Sequence, residues 1–181
     1  MNQLTHSDKY LDILKNSAVF QDFDKMTLQK LLLKMAHKHW KSGQLFNNYQ
    51  GGLHEFYFIC SGRVKEYQID ESTGREHTFF ILQEGDIFDV MNILDNKPHE
   101  MYWETIDEVE ALSISKPLMK EWISAYPMMH DDLYNYLGKR MRELEEKVSD
   151  IIIHNTLIRL SKLLLCHITG NPPKLKLINN L

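Results

Sequence analysis

Two short amphipathic helices are predicted near the start of the chain, in residues 8–36. Their apolar residues recur every three or four positions, which places them on one face of a helix. Ser7 stands where the first helix would need an N-cap. The apolar face of the first helix comprises Tyr10, Leu11 and Leu14, and that of the second comprises Leu28, Leu31, Leu32 and Met35.

Residues 37–114 show the pattern of short β-strands. The segments HEFYFICSG, RVKEYQID, HTFFILQ, EMYWETI and VEALSIS are rich in aromatic and β-branched residues. Turn signals separate them: Gly62, the segment DESTGRE with Gly74 where a positive φ is favoured, and the pair Gly85–Asp86. Many short strands with turns between them predict a β-barrel or a β-sandwich.

A long helix is predicted from about residue 127, because apolar residues recur there at spacings of three and four. The stripe is narrow and most other positions are charged, which is typical of a helix that pairs with a second helix. We therefore expect a two-fold dimer through residues 128–152. A surface helix packed on its own domain would show a similar stripe. The predicted dimer interface comprises Leu137, Met141, Leu144, Val148 and Ile151.

The last 31 residues differ in charge from the rest of the chain. Asn155 is suited to cap a helix over TLIRLSKLLLCHI, and KLKLI then predicts a strand. Residues 151–181 contain no acidic side chain and carry a formal charge of +4, whereas the whole chain carries −4. A basic end on an acidic body suggests contact with a polyanion such as nucleic acid. The basic residues are Arg159, Lys162, Lys174 and Lys176.

The bulk composition indicates a globular protein of the cytoplasm. With 181 residues and 43% hydrophobic residues, the chain can bury a sizeable core. It shows no signal-peptide pattern, and no apolar run reaches the roughly 18 residues that a membrane span requires. Its two cysteines form no pair motif, which favours a reducing compartment.

The order of these elements resembles the Crp/Fnr family of bacterial transcription regulators. The resemblance rests on FYFICSGRVKEYQID, TGRE, LQEGDIF and EEKVSDIIIHNTLIRLSKLLL, and it covers nearly all of the chain. It implies an α+β fold: an antiparallel β-barrel of the jelly-roll, cyclic-nucleotide-binding type, with N-terminal helices and a long C-terminal dimerisation helix. Residues 1–126 would form the sensor domain, 127–153 the dimerisation helix, and 154–181 the incomplete start of a winged helix-turn-helix domain.

The same resemblance implies a DNA-binding homodimer that senses an effector and can contact RNA polymerase, with a hinge at Asn155. The chain ends where the family's helix-turn-helix would begin. We therefore expect a longer regulator, and a protein that has lost its DNA reader is the alternative. No enzyme motif occurs, so we expect no catalytic activity. A stand-alone module that binds a ligand or haem, and never binds DNA, is the second hypothesis.

The effector loop departs from the pattern of the nucleotide-binding members. Those members use a Glu and an Arg-Ser pair to hold the cyclic phosphate, but here Val90 stands at the Glu position and Glu100 and Met101 at the Arg-Ser positions. Because carboxylates would face the phosphate with like charge, we do not expect cyclic AMP to bind. The candidate effector pocket comprises Phe88, Asp89, Val90, Met91, Glu100, Met101, Leu144 and Glu145.

Other effectors are constrained by the available ligands. An iron–sulfur cluster needs about four thiolates, so two cysteines exclude it. Haem stays open, with Met91, Met101 or His99 as axial ligands and Leu144 as an apolar wall. Both methionines could equally be core filler. A neutral or cationic organic ligand stays open too, as does a pocket filled by Phe88 and Met91.

A metal site is not expected. His37 and His39 alternate on a predicted strand and could face the same side. Zinc would need a further ligand such as His54 or His77, and exposed strand histidines are far more common than such sites.

Overall fold

The computed structural model describes residues 2–47, 55–88, 90–95, 97, 101–153, 156–166, 168–169 and 174–175. The chain divides into two compact units, Met1–Tyr136 and Leu137–Leu181. The first unit contains α1 (Asn2–Asn16), α2 (Lys25–Leu32), α3 (Val90–Asp95) and α4 (Lys116–Ala125). Helix α5 (Met128–Ile153) begins in the first unit and continues into the second, which also contains α6 (Thr156–Cys166), β8 (Ile168–Thr169) and β9 (Lys174–Leu175).

The strands of the first unit form two antiparallel sheets. They are β1 (Ala36–Trp40), β2 (Leu45–Asn47), β3 (Glu55–Ser61), β4 (Val64–Ile69), β5 (Glu76–Leu82), β6 (Tyr102–Thr105) and β7 (Val109–Ser115). One sheet has the order β1-β7-β3 and the other β2-β6-β4-β5. A shared core joins them, with Trp40 and Ile59 from the first sheet and Val64, Leu82 and Trp103 from the second. The α+β fold predicted from the sequence is confirmed.

Helix α1 begins earlier than the sequence pattern suggested. It starts at Asn2, so Ser7 lies inside the helix and the prediction that it caps α1 is wrong. The cap of α2 is Asp24, whose carboxylate accepts hydrogen bonds from Thr27 N at 3.0 Å and Thr27 Oγ1 at 2.7 Å. Leu28 and Leu31 form the buried face of α2, as predicted, whereas Met35 of the predicted face lies beyond the end of the helix.

Glycines with positive φ form the tight turns between strands. Gly74, with φ 67°, closes the β4–β5 hairpin. In the same hairpin, hydrogen bonds from Ser72 and Thr73 lower the pKa of Asp70 to about 2. Gly62 joins β3 to β4 with φ 82°, and it packs so close to the backbone of Glu108 that a side chain would collide with the Glu108 carbonyl oxygen.

Helix α5 confirms the predicted long helix to within one residue at each end. Its first two turns belong to the first unit, where Met129, Asp132, Leu133 and Tyr136 are buried. Along the rest of the predicted stripe, Leu137 and Leu144 are half-buried, whereas Met141, Val148 and Ile151 are exposed. The interface itself stays a prediction, as does the division into domains at residues 126 and 153.

The predicted basic residues fall in the second unit. Arg159 and Lys162 lie in α6, and Lys174 lies in β9. The predicted hinge residue Asn155 and the basic residue Lys176 lie outside the described residues. Among the described residues, no helix is both long enough and apolar enough to cross a membrane.

Candidate effector site in the β-barrel

The segment from Gly85 to Phe88 is fixed to strand β3 by its backbone. Gly85 N donates to the carbonyl oxygen of Ile59 at 3.0 Å, and Ile59 N donates to that of Asp86 at 2.9 Å. Phe88 N donates to the carbonyl oxygen of Tyr57 at 3.1 Å. These bonds determine where the Phe88 side chain enters the barrel.

Phe88 fills the interior between the two sheets. Its side chain is only 1% exposed and stacks on Trp103, with ring centroids 6.4 Å apart and planes 10° apart. Trp40 stacks on it at 6.0 Å, and Tyr57 and Phe46 contact it at 5.7 and 6.4 Å. Such aromatic pairs each add stability beyond the burial of apolar area. We call Trp40, Phe46, Tyr57, Phe88 and Trp103 the aromatic cluster.

Two polar atoms of the aromatic cluster bind carboxylates. Trp103 Nε1 donates to Glu66 Oε2 at 3.2 Å, and the Tyr57 hydroxyl donates to Glu55 Oε2 at 2.9 Å. Burial, and then the Glu55 carboxylate, raise the pKa of Tyr57. The hydroxyl therefore stays protonated and remains a donor to Glu55.

Three of the predicted pocket residues lie beside the aromatic cluster or on α3, and they differ in burial. Val90 and Met101 are buried, and Met101 packs in the barrel core with Phe88. Met91 is 48% exposed, so the alternative of a pocket filled by Phe88 and Met91 is supported for Phe88 and not for Met91. The reason is that residues 90–95 form a helix, which turns Val90 and Ile93 inward and leaves Met91 outside.

The other predicted pocket residues are not brought together by the described structure. Asp89, Glu100 and the candidate haem ligand His99 lie outside the described residues. Leu144 is half-buried and Glu145 is exposed, and both lie in the part of α5 that belongs to the second unit. Their role at the pocket stays a prediction.

Tyr136 is a site residue that the sequence pattern did not indicate. Its hydroxyl lies 3.4 Å from Ile87 N, 3.5 Å from the Ile87 carbonyl oxygen and 3.5 Å from Asp86 Oδ1. The base of α5 therefore touches the backbone segment that carries Phe88. In the sequence, Tyr136 is simply one residue near the apolar stripe of α5. Such a position does not reveal whether its hydroxyl makes a specific contact or its ring only packs in the core.

The barrel can be assigned to a family. Residues 38–126 match the family described as the cyclic nucleotide-binding domain. The match spans the barrel from the middle of β1 to the end of α4, and it includes the predicted effector loop, residues 85–103.

The relatives of this cyclic nucleotide-binding domain include transcription regulators. The CRP-like cAMP-activated global transcriptional regulator of Mycobacterium tuberculosis is 27% identical over 155 residues, which are 85% of this chain and 68% of the relative. The predicted resemblance to Crp/Fnr regulators is therefore confirmed. These homologues are regulators and not enzymes, in agreement with the expectation from the sequence.

Solved structures show the same fold. The catabolite activator protein of Thermus thermophilus has a TM-score of 0.63 and 22% identity, over 75% of this chain and 63% of that chain. The c-di-GMP responsive global regulator CLP of Xanthomonas campestris has a TM-score of 0.69 and 16% identity, over 82% of this chain and 74% of that chain. The chain thus spans just under two thirds of the Thermus protein.

The histidines on β1 have other contacts in this cyclic nucleotide-binding domain. His39 Nε2 lies 2.8 Å from Glu108 Oε1, and the ring of His37 packs 5.3 Å from that of Tyr10. His77 lies on β5 in the other sheet, and His54 is outside the described residues. Within the described residues, no three acidic, histidine or cysteine side chains are grouped to hold a metal ion.

Cys60 is a buried core residue on β3. Burial, followed by the nearby Glu110 carboxylate, raises the pKa of its thiol to about 12. A thiol that stays protonated and inaccessible is a poor nucleophile and a poor metal ligand.

Proposed function

We propose that this chain is the sensor and dimerisation part of a Crp/Fnr-type transcription regulator that responds to an effector other than cyclic AMP. The relationship to a regulator of Mycobacterium tuberculosis over 85% of the chain supports the regulatory role. The packing of Phe88 inside the barrel supports the exclusion of cyclic AMP, and it is the main observation behind the proposal.

A cyclic nucleotide would have to bring a phosphate into this barrel. A buried phosphate requires a cation and several hydrogen-bond donors. The two described positions of the phosphate-binding pattern, Val90 and Met101, are instead buried and apolar. Phe88 meanwhile fills the space between the sheets and stacks on Trp103. A nucleotide would therefore have to displace Phe88 and would gain no charged partner from Val90 or Met101.

An effector of this site is expected to act through Phe88 and Tyr136. A ligand that displaced Phe88 would shift the backbone of Asp86 and Ile87, because these residues are adjacent in the chain. Tyr136 touches both residues, so the shift would reach the base of α5. This route links the barrel interior to the predicted dimerisation helix by contacts of 3.4 and 3.5 Å.

The exposed stripe of α5 supports a homodimer. Met141, Val148 and Ile151 are each more than half exposed, although they are large and apolar. Exposed apolar side chains in a continuous stripe are characteristic of a helix that pairs with another. We place the interface along this stripe, between two copies of the chain.

DNA binding belongs to the proposal for a longer protein that contains this chain. In the cytoplasm, such a dimer would bind a palindromic site, since a two-fold protein matches a two-fold DNA sequence. The basic residues of α6 and β9 would lie near the DNA, and RNA polymerase is a further partner. Haem is not favoured, because two of the three candidate ligands are poorly placed: Met91 is exposed and Met101 is packed in the core. The third, His99, lies outside the described residues.

The effector proposal is tested by thermal melting of the chain with ligand. A ligand present at 100 times its dissociation constant stabilises the folded state by about 2.7 kcal/mol. For a chain of this size, that stabilisation raises the melting temperature by roughly 5–11 °C. We expect millimolar cyclic AMP or cyclic GMP to change the midpoint by less than about 1 °C on the same scale.

A shift of several degrees with cyclic AMP would overturn the proposal. The same melt is repeated with haemin in place of the nucleotide. Haem binding is measured by the shift of the melting midpoint and by an absorption band in the Soret region after desalting. A band that survives desalting in the wild-type chain, and is lost on replacing Met101 with Leu, would favour the haem-binding alternative.

A further inference from the structure

The base of α5 carries a buried carboxyl group that the proposed sensing mechanism does not use. Asp132 is only 1% exposed and lies on the helix face that also buries Met129, Leu133 and Tyr136. Its Oδ2 atom is buried and has no hydrogen-bond partner within the described residues. Burying a carboxylate oxygen without a hydrogen bond costs free energy, so burial favours the protonated form of Asp132.

Among the described residues, the charged groups that act on Asp132 are both acidic. Asp22 approaches it from the connection between α1 and α2, and Asp131 is its neighbour on α5. The connection is held in place by Lys15, whose Nζ donates to the carbonyl oxygens of Gln21 and Phe23 at 2.5 and 2.7 Å. This ammonium is therefore bonded to the backbone on both sides of Asp22, and it is not among the groups that act on Asp132.

Burial and the Asp22 carboxylate act on Asp132 in the same direction. Burial has the largest effect, followed by repulsion from Asp22 and a side-chain hydrogen bond with it, and together they raise the pKa of Asp132 to about 6. The N-terminus of α5 would favour the ionised form, because the helix dipole is positive there. Burial and Asp22 both act against the ionised form.

We propose that Asp132 is a proton-binding site that fastens the base of α5 to the α1–α2 connection through Asp22. In the protonated form, the Asp132 carboxyl donates its O–H to a carboxylate oxygen of Asp22. When the proton leaves to solvent, two carboxylates face each other and one of them is buried. The contact is then repulsive, and the base of α5 is held less firmly.

This proton site has a direct neighbour in the contact between α5 and the effector loop. Tyr136 lies four residues after Asp132, on the same buried face of the helix. Its hydroxyl touches Asp86 and Ile87, which precede Phe88. Loosening the base of α5 therefore weakens the contact through which the barrel meets this helix. The inference does not depend on which effector the barrel takes.

The sign of the pH dependence follows from the raised pKa. Below the pKa of an unfolded aspartate, Asp132 is protonated in both the folded and the unfolded chain, so it adds nothing to the pH dependence. As the pH rises through the folded-state pKa, the folded chain must give up a proton that it holds more tightly, and its stability falls. The loss of folding stability develops between about pH 4 and 6, and it persists at higher pH.

The test compares melting temperatures of the full chain from pH 4.5 to 8. The Asp132→Asn variant keeps the shape of the side chain and cannot ionise, so we expect the wild type to lose stability relative to it as the pH rises. The folded-state and unfolded-state pKa values of Asp132 differ by about two units. The folding equilibrium constant of the wild type can therefore fall by at most roughly 100-fold relative to the variant. Asp131→Asn is the matched control, because Asp131 is exposed and its replacement should leave most of the relative change in place.

A second measurement covers the case in which Asp132→Asn does not fold. Carboxyl-labelled aspartate allows the titration of Asp132 to be followed by NMR in the wild type and in Asp22→Asn, which changes only an exposed residue. We expect a midpoint near 6 in the wild type and a lower one in the variant. An ordinary aspartate midpoint in the wild type, or a midpoint that does not respond to Asp22→Asn, would overturn the proposal.

Discussion

Replacing Phe88 with Ala removes the residue at the centre of the aromatic cluster. The side chain is almost fully buried, and four aromatic rings contact it, with centroids 5.7 to 6.4 Å away. Its neighbours belong to strands of both sheets, so they cannot close the gap without breaking strand pairing. We therefore expect the substitution to leave a cavity between the sheets.

The magnitude follows from the removal of a buried aromatic ring. Phe→Ala substitutions in protein cores cost about 3–5 kcal/mol, because transfer energy is lost and a cavity remains. In a chain of this length, each kcal/mol lowers the melting temperature by roughly 2–4 °C. We expect Phe88→Ala to lower the midpoint of the barrel transition by about 6–20 °C.

The matched control is Met91→Ala, three residues further along the chain. Met91 is 48% exposed, and we expect its replacement to cost less than about 1 kcal/mol. Both variants are melted with circular dichroism in the same buffer. If Phe88→Ala melts within about 2 °C of the wild type, the reasoning that places Phe88 at the centre of the barrel core is refuted.

A rescue experiment makes this prediction sharper. A dry cavity lined by apolar side chains binds small aromatic molecules such as benzene. Benzene should therefore raise the midpoint of Phe88→Ala and leave the wild type unchanged, since the wild-type space is occupied. Equal shifts in both proteins would show that benzene acts elsewhere.

Two further predictions concern the turn after β3 and the stripe of α5. Gly62→Ala should cost more than about 2 kcal/mol, because a positive φ combines with a collision with the Glu108 backbone. Gly74→Ala meets open space and should cost only about 1–2 kcal/mol, so equal midpoints in denaturant would contradict this account. Joint replacement of Met141 and Val148 by Asp should convert a dimer to a monomer in sedimentation, since each buried charge would cost several kcal/mol. A double variant that stays dimeric at micromolar concentration would place the interface elsewhere.

The strands and the long helix were predictable because their signals are local. Alternation of aromatic and β-branched residues identified the strands, and Gly62 and Gly74 marked turns that require positive φ. The spacing of the apolar residues identified α5 to within one residue at each end. Periodicity and turn chemistry depend on neighbouring residues in the chain, so a single sequence contains them.

Errors arose where the local signal was short. No helix was predicted in the loop after Gly85, but residues 90–95 form one, and for that reason Met91 points outward. Helix α4 was missed because its ten residues follow strand β7 directly, although Met119, Trp122 and Ile123 are spaced as on one face of a helix. Short segments take their conformation from the packing around them, and the sequence pattern does not contain that packing.

The sequence by itself determined the order of the elements, the apolar residues Phe88, Val90 and Met91 in the segment after Gly85, and the family resemblance. Only the tertiary structure decided which of those apolar residues enters the barrel, and it selected Phe88 over Met91. It also decided the contact of Tyr136 with Ile87 and the approach of Asp22 to Asp132, which are 110 positions apart in the chain. Contacts between distant positions depend on how helices and sheets pack, because close packing admits only a few side chains at each point of the core.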